Sequence, residues 1–266
     1  MSDSLLALAM TAAQVGGEVL RFYIGRLEAG EIEAKGQNDW VSAADRESEA
    51  AIAAFLHRHT PDLGLLAEEG GMRGGGRTVW VVDPLDGTAN FVHAFPHFAV
   101  SVGLVEDGVP IVGAIYDPMR DELFSAARGR GAFCNGRALR VSGRERLDGA
   151  FVTTGFPFRV LRHIDTYLAV FRAVYCRAAA IRRPGSAALD LAHTAAGIFD
   201  GFFEFNLSPW DIAAGAVIVR EAGGTVTNLS GDDEIFARGN VLAATPGVHR
   251  DLLGVVRPLC RDDEIA

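Results

Sequence analysis

Residues 80–91 have the sequence WVVDPLDGTANF, and the rest of the chain is organised around them. The apolar residues at the start of this stretch predict a buried strand that stops at Asp83-Pro84. Asp83 and Asp86 lie three positions apart with a rigid proline between them. Gly87-Thr88 follows directly, with small residues that can begin a helix.

This spacing favours a metal site beside a phosphate site. Two carboxylates as close as Asp83 and Asp86 repel each other unless they share a proton or a cation. Magnesium prefers such oxygen ligands and keeps water or phosphate oxygens in its other positions. The N–H groups of Gly87 and Thr88 at a helix start would bind phosphate. The alternative is two ordinary turns, because Asp-Pro and Asp-Gly are common turn formers.

Composition and charge narrow the function classes. The chain has 266 residues, 49% of them hydrophobic, which suits one large domain or two fused halves. A net charge of −9 argues against nucleic acid or an anionic membrane as a partner. Bound cations would reverse the local field and allow an anionic, phosphorylated substrate.

Cysteine usage and the N-terminus predict a cytoplasmic protein. Cys134, Cys176 and Cys260 are scattered and have neither a disulfide framework nor a zinc-site spacing. The first residues lack a basic leader, and we expect no apolar run of membrane-spanning length.

In the first half, helices are predicted to pack on a mostly antiparallel sheet. Helical spacing extends from about Ser4 to Phe22, and a second helical pattern ends near His59. Ser42 and Asp45 have the spacing of a capping box, a structural alternative to any catalytic role for Asp45. The predicted strands are Leu63–Ala67, Ala99–Val105, Val109–Tyr116, Leu123–Ala126, Gly131–Cys134 and Leu139–Val141.

An acidic pair, Glu68-Glu69, ends the first of these strands and precedes a glycine-rich loop, Gly70–Gly76. Acidic residues at a strand end are usually solvated, so a surface position is the alternative to a functional role for Glu68.

The second half alternates strands and helices, which predicts α/β layering. No linker separates the halves, and we expect one compact unit of two subdomains, residues 1–145 and 146–266. The predicted strands are Ala150–Thr154, Ala179–Ile181, Gly201–Phe205, Thr225–Thr227 and Val241–Ala244, and the helices are His163–Tyr175, Ser186–Ala196, Trp210–Ala222 and one closing helix.

A second informative stretch begins at Trp210-Asp211. Asp211 starts a helix rich in small residues, where a carboxylate can cap free N–H groups. That capping role is its structural alternative, but it does not account for the preceding tryptophan or the following small residues.

Four segments together resemble the inositol monophosphatase family of lithium-sensitive, magnesium-dependent phosphomonoesterases, over almost the whole length. They are Asp39-x-Val41-Ser42-x-x-Asp45, Glu68-Glu69, Asp83-Pro84-Leu85-Asp86-Gly87-Thr88, and Trp210-Asp211-x-Ala213-Ala214-Gly215 with Glu221-Ala222-Gly223-Gly224.

The resemblance implies a layered αβαβα sandwich, usually a homodimer, that binds roughly two to three Mg²⁺ ions between its halves. Glu68, Asp83 and the carbonyl of Leu85 would hold the first ion. Asp83 would bridge to a second ion completed by Asp86 and Asp211.

The implied reaction is hydrolysis of a phosphomonoester by a metal-bound water, without a phosphoenzyme. Thr88, hydrogen-bonded to Asp45, would orient the water and help remove its proton. The amides of Gly87 and Thr88 would hold the phosphate, beside the carboxylates of Asp86 and Asp211.

Substrate choice depends on residues outside the metal site. Glu204 lies seven residues before Asp211, as does the hydroxyl-binding glutamate of the family, and Gly185-Ser186-Ala187 matches the segment lining its ring pocket. Arg182 is assigned to substrate or to the dimer partner. The alternatives are a surface acid for Glu204 and a solvated pair for Arg182-Arg183.

The expected substrate is a small phosphorylated polyol, inositol monophosphate. Histidinol phosphate is the alternative, because Glu204 could pair with its ammonium. There are two departures from the family pattern. Ala89 after Thr88 is a small change that we expect to be tolerated, whereas Pro184 before Gly185 could tighten or reorient the ring-binding turn. An alternative from a different class is that the protein acts without catalysis, as a binding partner of the transcription machinery. The acidic net charge argues against direct nucleic-acid binding but not against a protein partner.

Overall fold

The computed structural model describes residues 2–27, 30, 32–36, 39–157 and 161–260. Within these ranges the helices are α1 (Ser2–Tyr23), α2 (Ala43–His59), α3 (Thr88–Val92), α4 (Ile164–Tyr175), α5 (Ala187–Ala195), α6 (Pro209–Glu221) and α7 (Pro246–Val256). The strands are β1 (Ile32–Gly36), β2 (Asp39–Ser42), β3 (Gly64–Ala67), β4 (Gly71–Arg73), β5 (Thr78–Asp86), β6 (Ala99–Glu106), β7 (Val109–Asp117), β8 (Glu122–Ala127), β9 (Ala132–Cys134), β10 (Arg137–Ala138), β11 (Phe151–Thr154), β12 (Ala180–Arg182), β13 (Gly201–Glu204), β14 (Thr225–Thr227) and β15 (Val241–Ala244).

The first half forms an eight-stranded sheet in the order β10-β9-β8-β7-β6-β5-β3-β4. Its pairs are antiparallel except β3 and β5, which run parallel. The turn between β6 and β7 places Asp107 and Gly108 at φ of 49° and 79°, and Asn135 and Gly136 turn in the same way between β9 and β10. These positive φ values are those of tight hairpin turns. The turns join β6 to β7 and β9 to β10, but the second strand of the latter pair is Arg137–Ala138 and not the predicted Leu139–Val141.

The second half forms a five-stranded sheet in the order β12-β11-β13-β15-β14. Strand β11 runs parallel to β12 and β13, whereas β15 is antiparallel to β13 and β14. Parallel strands need crossover connections. Helix α4 connects β11 to its neighbour β12, and α5 connects β12 to β13, which lies on the other side of β11.

Five layers stack across the molecule. Helices α1 and α2 pack on the eight-stranded sheet, α5 and α6 lie between the two sheets, and α4 and α7 cover the five-stranded sheet. Each sheet buries an apolar face on both sides, because helices cover both. The predicted αβαβα sandwich is confirmed.

Helix α6 lies unusually close to the eight-stranded sheet. A Cβ at Gly103 would stand 2.8 Å from the Cβ of Ala213, and a Cβ at Gly113 would overlap the backbone of Ala214. Glycine is therefore required in β6 and β7, and small residues are required in α6. This contact explains why so many small residues follow Asp211.

Several predicted boundaries differ from the structure. Strand β5 does not stop at Asp83-Pro84 but continues to Asp86 through a register shift in its pairing with β6. Residues 139–141 are not a strand, since the N–H of Val141 donates to the carbonyl of Ala222 beyond the end of α6. The loop Gly70–Gly76 contains strand β4, and the hairpin β1–β2 was not predicted.

Helix α1 differs from the expectation that no segment reaches membrane-spanning length. Residues Asp3–Tyr23 are long and apolar enough to cross a membrane by length and composition, at a mean hydropathy of 1.2. The helix packs against α2 and strands β6, β7 and β8, with Ala9, Ala12, Ala13 and Leu20 buried. A helix in the core of a folded domain has the same length and composition.

Candidate active site

Three carboxylates from the two conspicuous stretches meet between the halves. Asp83 and Asp86 lie at the end of β5, and Asp211 lies in the first turn of α6. One oxygen of each lies within 4.8 Å of the others. The structure thus brings together three of the predicted metal ligands.

The parallel pairing of β3 and β5 adds Glu68 to this group. Ala67 pairs with Val82, and the N–H of Glu68 donates to the carbonyl of Val82 at 3.2 Å. Glu68 therefore leaves the sheet beside Asp83, because parallel strands end at the same edge. Its side chain lines the same cavity as the three aspartates.

The register shift in β5 explains how Asp83 and Asp86 share one site. In a regular strand, residues three apart point to opposite faces. Here the Asp83 carboxylate accepts the N–H of Leu85 at 2.9 Å, and the carbonyl of Leu85 accepts the hydroxyl of Thr88 at 3.1 Å. The bent chain places Asp83, Leu85 and Asp86 together in the wall of one cavity.

The electrostatics of this cluster fit a divalent cation. Burial raises the pKa of Asp83 well above its ordinary value, and the charges of Glu68, Asp86 and Asp211 raise it further. Burial and the charge of Asp211 raise the pKa of Asp86 to about 7. Across the described ranges, no basic side chain forms an ion pair with Asp83 or Asp86. Oxygen donors with uncompensated negative charge are the ligands that Mg²⁺ binds.

Asp86 and Asp211 are held by the starts of two helices. The hydroxyl of Ser186 and the N–H of Ala188 donate to one oxygen of Asp86, each at 2.6 Å. Asp211 accepts the N–H of Ser208 at 2.7 Å and forms a capping box with it. Asp211 was predicted as the N-cap, but Ser208 is the N-cap of α6 and Asp211 is its partner in the capping box. The Asp211 carboxylate also belongs to the cluster.

Asp45 makes both sets of hydrogen bonds that were considered for it, those of the capping box and the one to Thr88. One oxygen accepts the N–H and the hydroxyl of Ser42, at 2.8 and 2.6 Å, which completes the capping box of α2. The other accepts the hydroxyl of Thr88 at 3.2 Å. Burial raises the pKa of Asp45 to about 6, although hydrogen bonds from Ser42 oppose the shift.

Gly87 sits between the carboxylates and α3. Its φ of 97° is in the left-handed region, and a Cβ would approach the carbonyls of His97 and Gly185 at 3.1 and 3.2 Å. Glycine is required there for both reasons. Helix α3 has only five residues, so its dipole is small and phosphate binding there would depend on the N–H groups of Gly87 and Thr88 themselves.

The predicted ring-pocket residues line the same cavity as the carboxylate cluster, and the volume of this cavity is about 330 Å³. Glu204 ends β13 and is 7% exposed, which excludes the surface alternative. Gly155 lies against it, because a Cβ there would overlap the Glu204 carboxylate. Gly185, Ser186 and Ala187 also line this cavity.

Arg182, which was assigned to substrate or to the dimer partner, is not among the residues that line the cavity. It is exposed, its guanidinium lies 5.0 Å from the centroid of the Phe151 ring, and it donates to the carbonyl of Ile181. The next residue, Arg183, lines the cavity instead and lies over the ring of Phe156 at 5.1 Å. Strand β12 ends at Arg182, and the chain turns into the cavity only after it.

Sequence reasoning also missed Asp190. This aspartate is 1% exposed in α5 and lines the cavity. The available signal was a single charge within the apolar helical segment Ala187–Ala192, because buried carboxylates are rare without a partner.

The fold and site define a layered α/β protein with a buried carboxylate centre suited to divalent cations. The chain belongs to the inositol monophosphatase family, whose family model matches residues 1–259. Members of this family are generally metal-dependent, which agrees with the donor set found here.

Similar proteins carry two kinds of name. The chain is 44% identical over 260 residues to the Nus factor SuhB of Pseudomonas aeruginosa, with 96% of each chain covered. It is 44% identical over 253 residues to the fructose-1,6-bisphosphatase/inositol-1-monophosphatase of Aquifex aeolicus, with 95% of each chain covered. The solved structure of an inositol monophosphatase from Anabaena (Nostoc) sp. PCC 7120 matches with a TM-score of 0.87 at 38% identity, covering 98% of both chains.

Proposed function

We propose that this protein is a magnesium-dependent phosphomonoesterase that hydrolyses inositol monophosphate to inositol and phosphate. The observation that carries the proposal is the buried cluster of Asp83, Asp86 and Asp211 beside the hydrogen-bonded pair Thr88–Asp45. The three aspartates and Thr88 line one cavity, which supports a metal site beside a proton-handling group.

The proposal assigns the metal ligands by position and chemistry. Glu68, Asp83 and the carbonyl of Leu85 would hold one ion, and Asp83, Asp86 and Asp211 would hold a second. A third, near Glu68, is part of the same proposal. When bound, such ions lower the pKa of water and neutralise charge that develops on a transferring phosphoryl group.

Thr88 and Asp45 supply the proton-handling groups. Asp45 accepts the Thr88 hydroxyl proton, which leaves the lone pairs of that oxygen available to accept a proton from water. Two hydrogen bonds from Ser42 hold the Asp45 carboxylate in this orientation. The N–H groups of Gly87 and Thr88 would hold the phosphate over the cluster.

The leaving group would lie toward Glu204. Glu204 is buried and lines the cavity, and its carboxylate can accept hydrogen bonds from the hydroxyls of a polyol. The inositol-1-monophosphatase name of the Aquifex aeolicus relative supports this substrate class. Histidinol phosphate is the alternative, since its ammonium could bind the same carboxylate. We also propose a homodimer, which light scattering on the purified protein would test, and a cytoplasmic location.

The decisive experiment measures inorganic phosphate released from inositol 1-phosphate, histidinol phosphate and 3′-phosphoadenosine phosphate. Each is assayed with magnesium and with chelator, for the wild type and Asp83→Asn. Release that needs magnesium, needs Asp83 and is largest with inositol 1-phosphate is expected. A preference for histidinol phosphate would change the substrate, and release that persists in chelator would refute the metal site.

A second candidate is a non-catalytic partner of the transcription machinery, favoured by the Nus factor name of the Pseudomonas aeruginosa relative. Complementation separates the two functions. Asp83→Asn should fail to rescue a deletion strain if phosphatase activity is the cellular function. Full rescue by this variant would support the partner role.

A further inference from the structure

Asp190 is a buried carboxylic acid of the cavity that belongs neither to the proposed metal site nor to the Thr88–Asp45 pair. It lies in α5, one turn after Ser186, and lines the cavity together with Glu204 of β13 and Arg183. Two carboxyl groups and one guanidinium therefore face the space that the leaving group would fill.

The Asp190 carboxyl group is buried and only partly satisfied. It is 1% exposed, and its Oδ1 has no hydrogen-bond partner among the residues that the structure describes. The side chain of Thr153 hydrogen-bonds to the same carboxyl group. A buried polar atom without a partner is unfavourable, so its retention in a cavity wall indicates a ligand atom.

The surrounding charges restrict the kind of ligand. Burial and the charge of Glu204 raise the pKa of Asp190 well above its ordinary value, while Arg183 acts in the opposite direction. An ammonium group can only donate hydrogen bonds, and Arg183 would repel its charge. A hydroxyl can donate to a carboxyl oxygen and accept from a guanidinium, and it carries no charge. The combination therefore favours a neutral, hydroxyl-rich leaving group.

We propose that Asp190 is a specificity-determining residue that accepts a hydrogen bond from a hydroxyl of a neutral polyol leaving group, beside Glu204 and Arg183. The proposal rests on the phosphomonoesterase function proposed above and defines its substrate class. It does not involve the metal ligands, so the two can fail separately.

The test compares two phosphate esters and three variants. Inositol 1-phosphate has ring hydroxyls, whereas the leaving group of phenyl phosphate has none. Asp190→Ala should lower kcat/KM for inositol 1-phosphate about five- to tenfold, the usual effect of losing one hydrogen bond. For phenyl phosphate it should stay within about twofold. Asp190→Asn keeps one acceptor oxygen and should lose less. Asp165→Ala removes an exposed carboxylate of α4 and should change neither rate.

Calorimetry extends the test to binding, with thermal unfolding as the check that each variant folds. Wild type should bind inositol 1-phosphate more tightly than phenyl phosphate, and Asp190→Ala should remove the difference. The proposal would be overturned if Asp190→Ala lost kcat/KM equally for both esters or lost none for either. It would also be overturned if the wild type preferred histidinol phosphate and Asp190→Ala abolished that preference. Absence of magnesium-dependent hydrolysis of every ester would overturn the phosphatase function, and the binding difference would then decide the role of Asp190 alone.

Discussion

The hydroxyl of Ser186 donates a hydrogen bond of 2.6 Å to the carboxylate of Asp86, 100 positions earlier in the chain. The N–H of Ala188 donates to the same oxygen. Asp86 belongs to the eight-stranded sheet, whereas Ser186 caps α5 in the second half. One carboxylate of the metal cluster is therefore oriented by the other half of the molecule.

Replacement of Ser186 by alanine should weaken both the fold and the metal site. The hydroxyl also accepts the N–H of Leu189 at the start of α5, and losing such a cap costs about 1 kcal/mol of unfolding free energy. Asp86 loses the hydrogen bond from this hydroxyl, so more magnesium should be needed for half-maximal activity. Urea unfolding and magnesium titration measure the two effects. Ser186→Thr retains the hydroxyl, and the same losses in that variant would contradict the explanation.

Asp83→Asn should abolish turnover and yet stabilise the metal-free protein. Its carboxylate is buried among three like charges, so removing its charge relieves repulsion in the folded state. In magnesium the order should reverse, because ion binding stabilises only a protein with an intact site. Thermal unfolding in chelator and in magnesium gives the comparison. A variant that keeps its activity, or that magnesium stabilises as much as wild type, would rule out this role of Asp83.

Thr88→Ala should lower kcat about 10²- to 10⁴-fold, the contribution of a positioned proton-transfer group. The magnesium dependence should change little, because Thr88 contributes to the cluster only through the Leu85 carbonyl. Thr88→Ser is the matched control and should retain most of the activity. Single-turnover rates at saturating magnesium measure the difference, and equal rates for the alanine and serine variants would exclude the hydroxyl from the reaction.

The pH dependence of activity should show an acidic limb near the pKa of Asp45, which is about 6. Asp45 must be ionised to accept the Thr88 proton, so kcat/KM should fall as the pH is lowered through this value. Because the pKa is raised in the folded state, Asp45 makes folding less favourable as the pH rises from about 4 to about 6. Asp45→Asn should remove both effects. A limb that persists in this variant would belong to another group.

Gly113→Ala should displace α6 and with it Asp211. The added Cβ would overlap the Ala214 backbone, and overpacking of this kind costs about 1–3 kcal/mol. The variant should also need more magnesium for half-maximal activity, because Asp211 is displaced. Gly143→Ala adds the same methyl group where nothing lies within 4 Å and should have little effect. A stable, fully active Gly113→Ala variant would show that the close contact is unimportant.

Local patterns predicted most of the elements and the residues of the carboxylate cluster. The pairs Asp83–Asp86 and Ser42–Asp45 each lie within four residues, so their chemistry follows from spacing in the chain. Hairpins such as Asp107-Gly108 were equally local. The order of strands in the sheets was not predicted, because it depends on packing between distant segments.

The errors in the pocket have the same origin. Arg182 and Arg183 are neighbours, and only the exact end of β12 decides which of them lines the cavity. Asp190 belongs to no short motif, and its role becomes visible only when α5 is placed against β13. Residues 139–141 are apolar enough for a strand but pack against the core cluster around α6 instead.

The close packing of α6 on the eight-stranded sheet limits how far the distance between Asp83 and Asp211 can vary. Gly103 and Gly113 leave almost no side chain between the helix and the sheet. The separation of Asp211 from Asp83 is therefore a property of two backbones, set by the radius of a helix and the thickness of a sheet. Core side chains elsewhere can exchange sizes over evolutionary time while the spacing of the two aspartates stays the same.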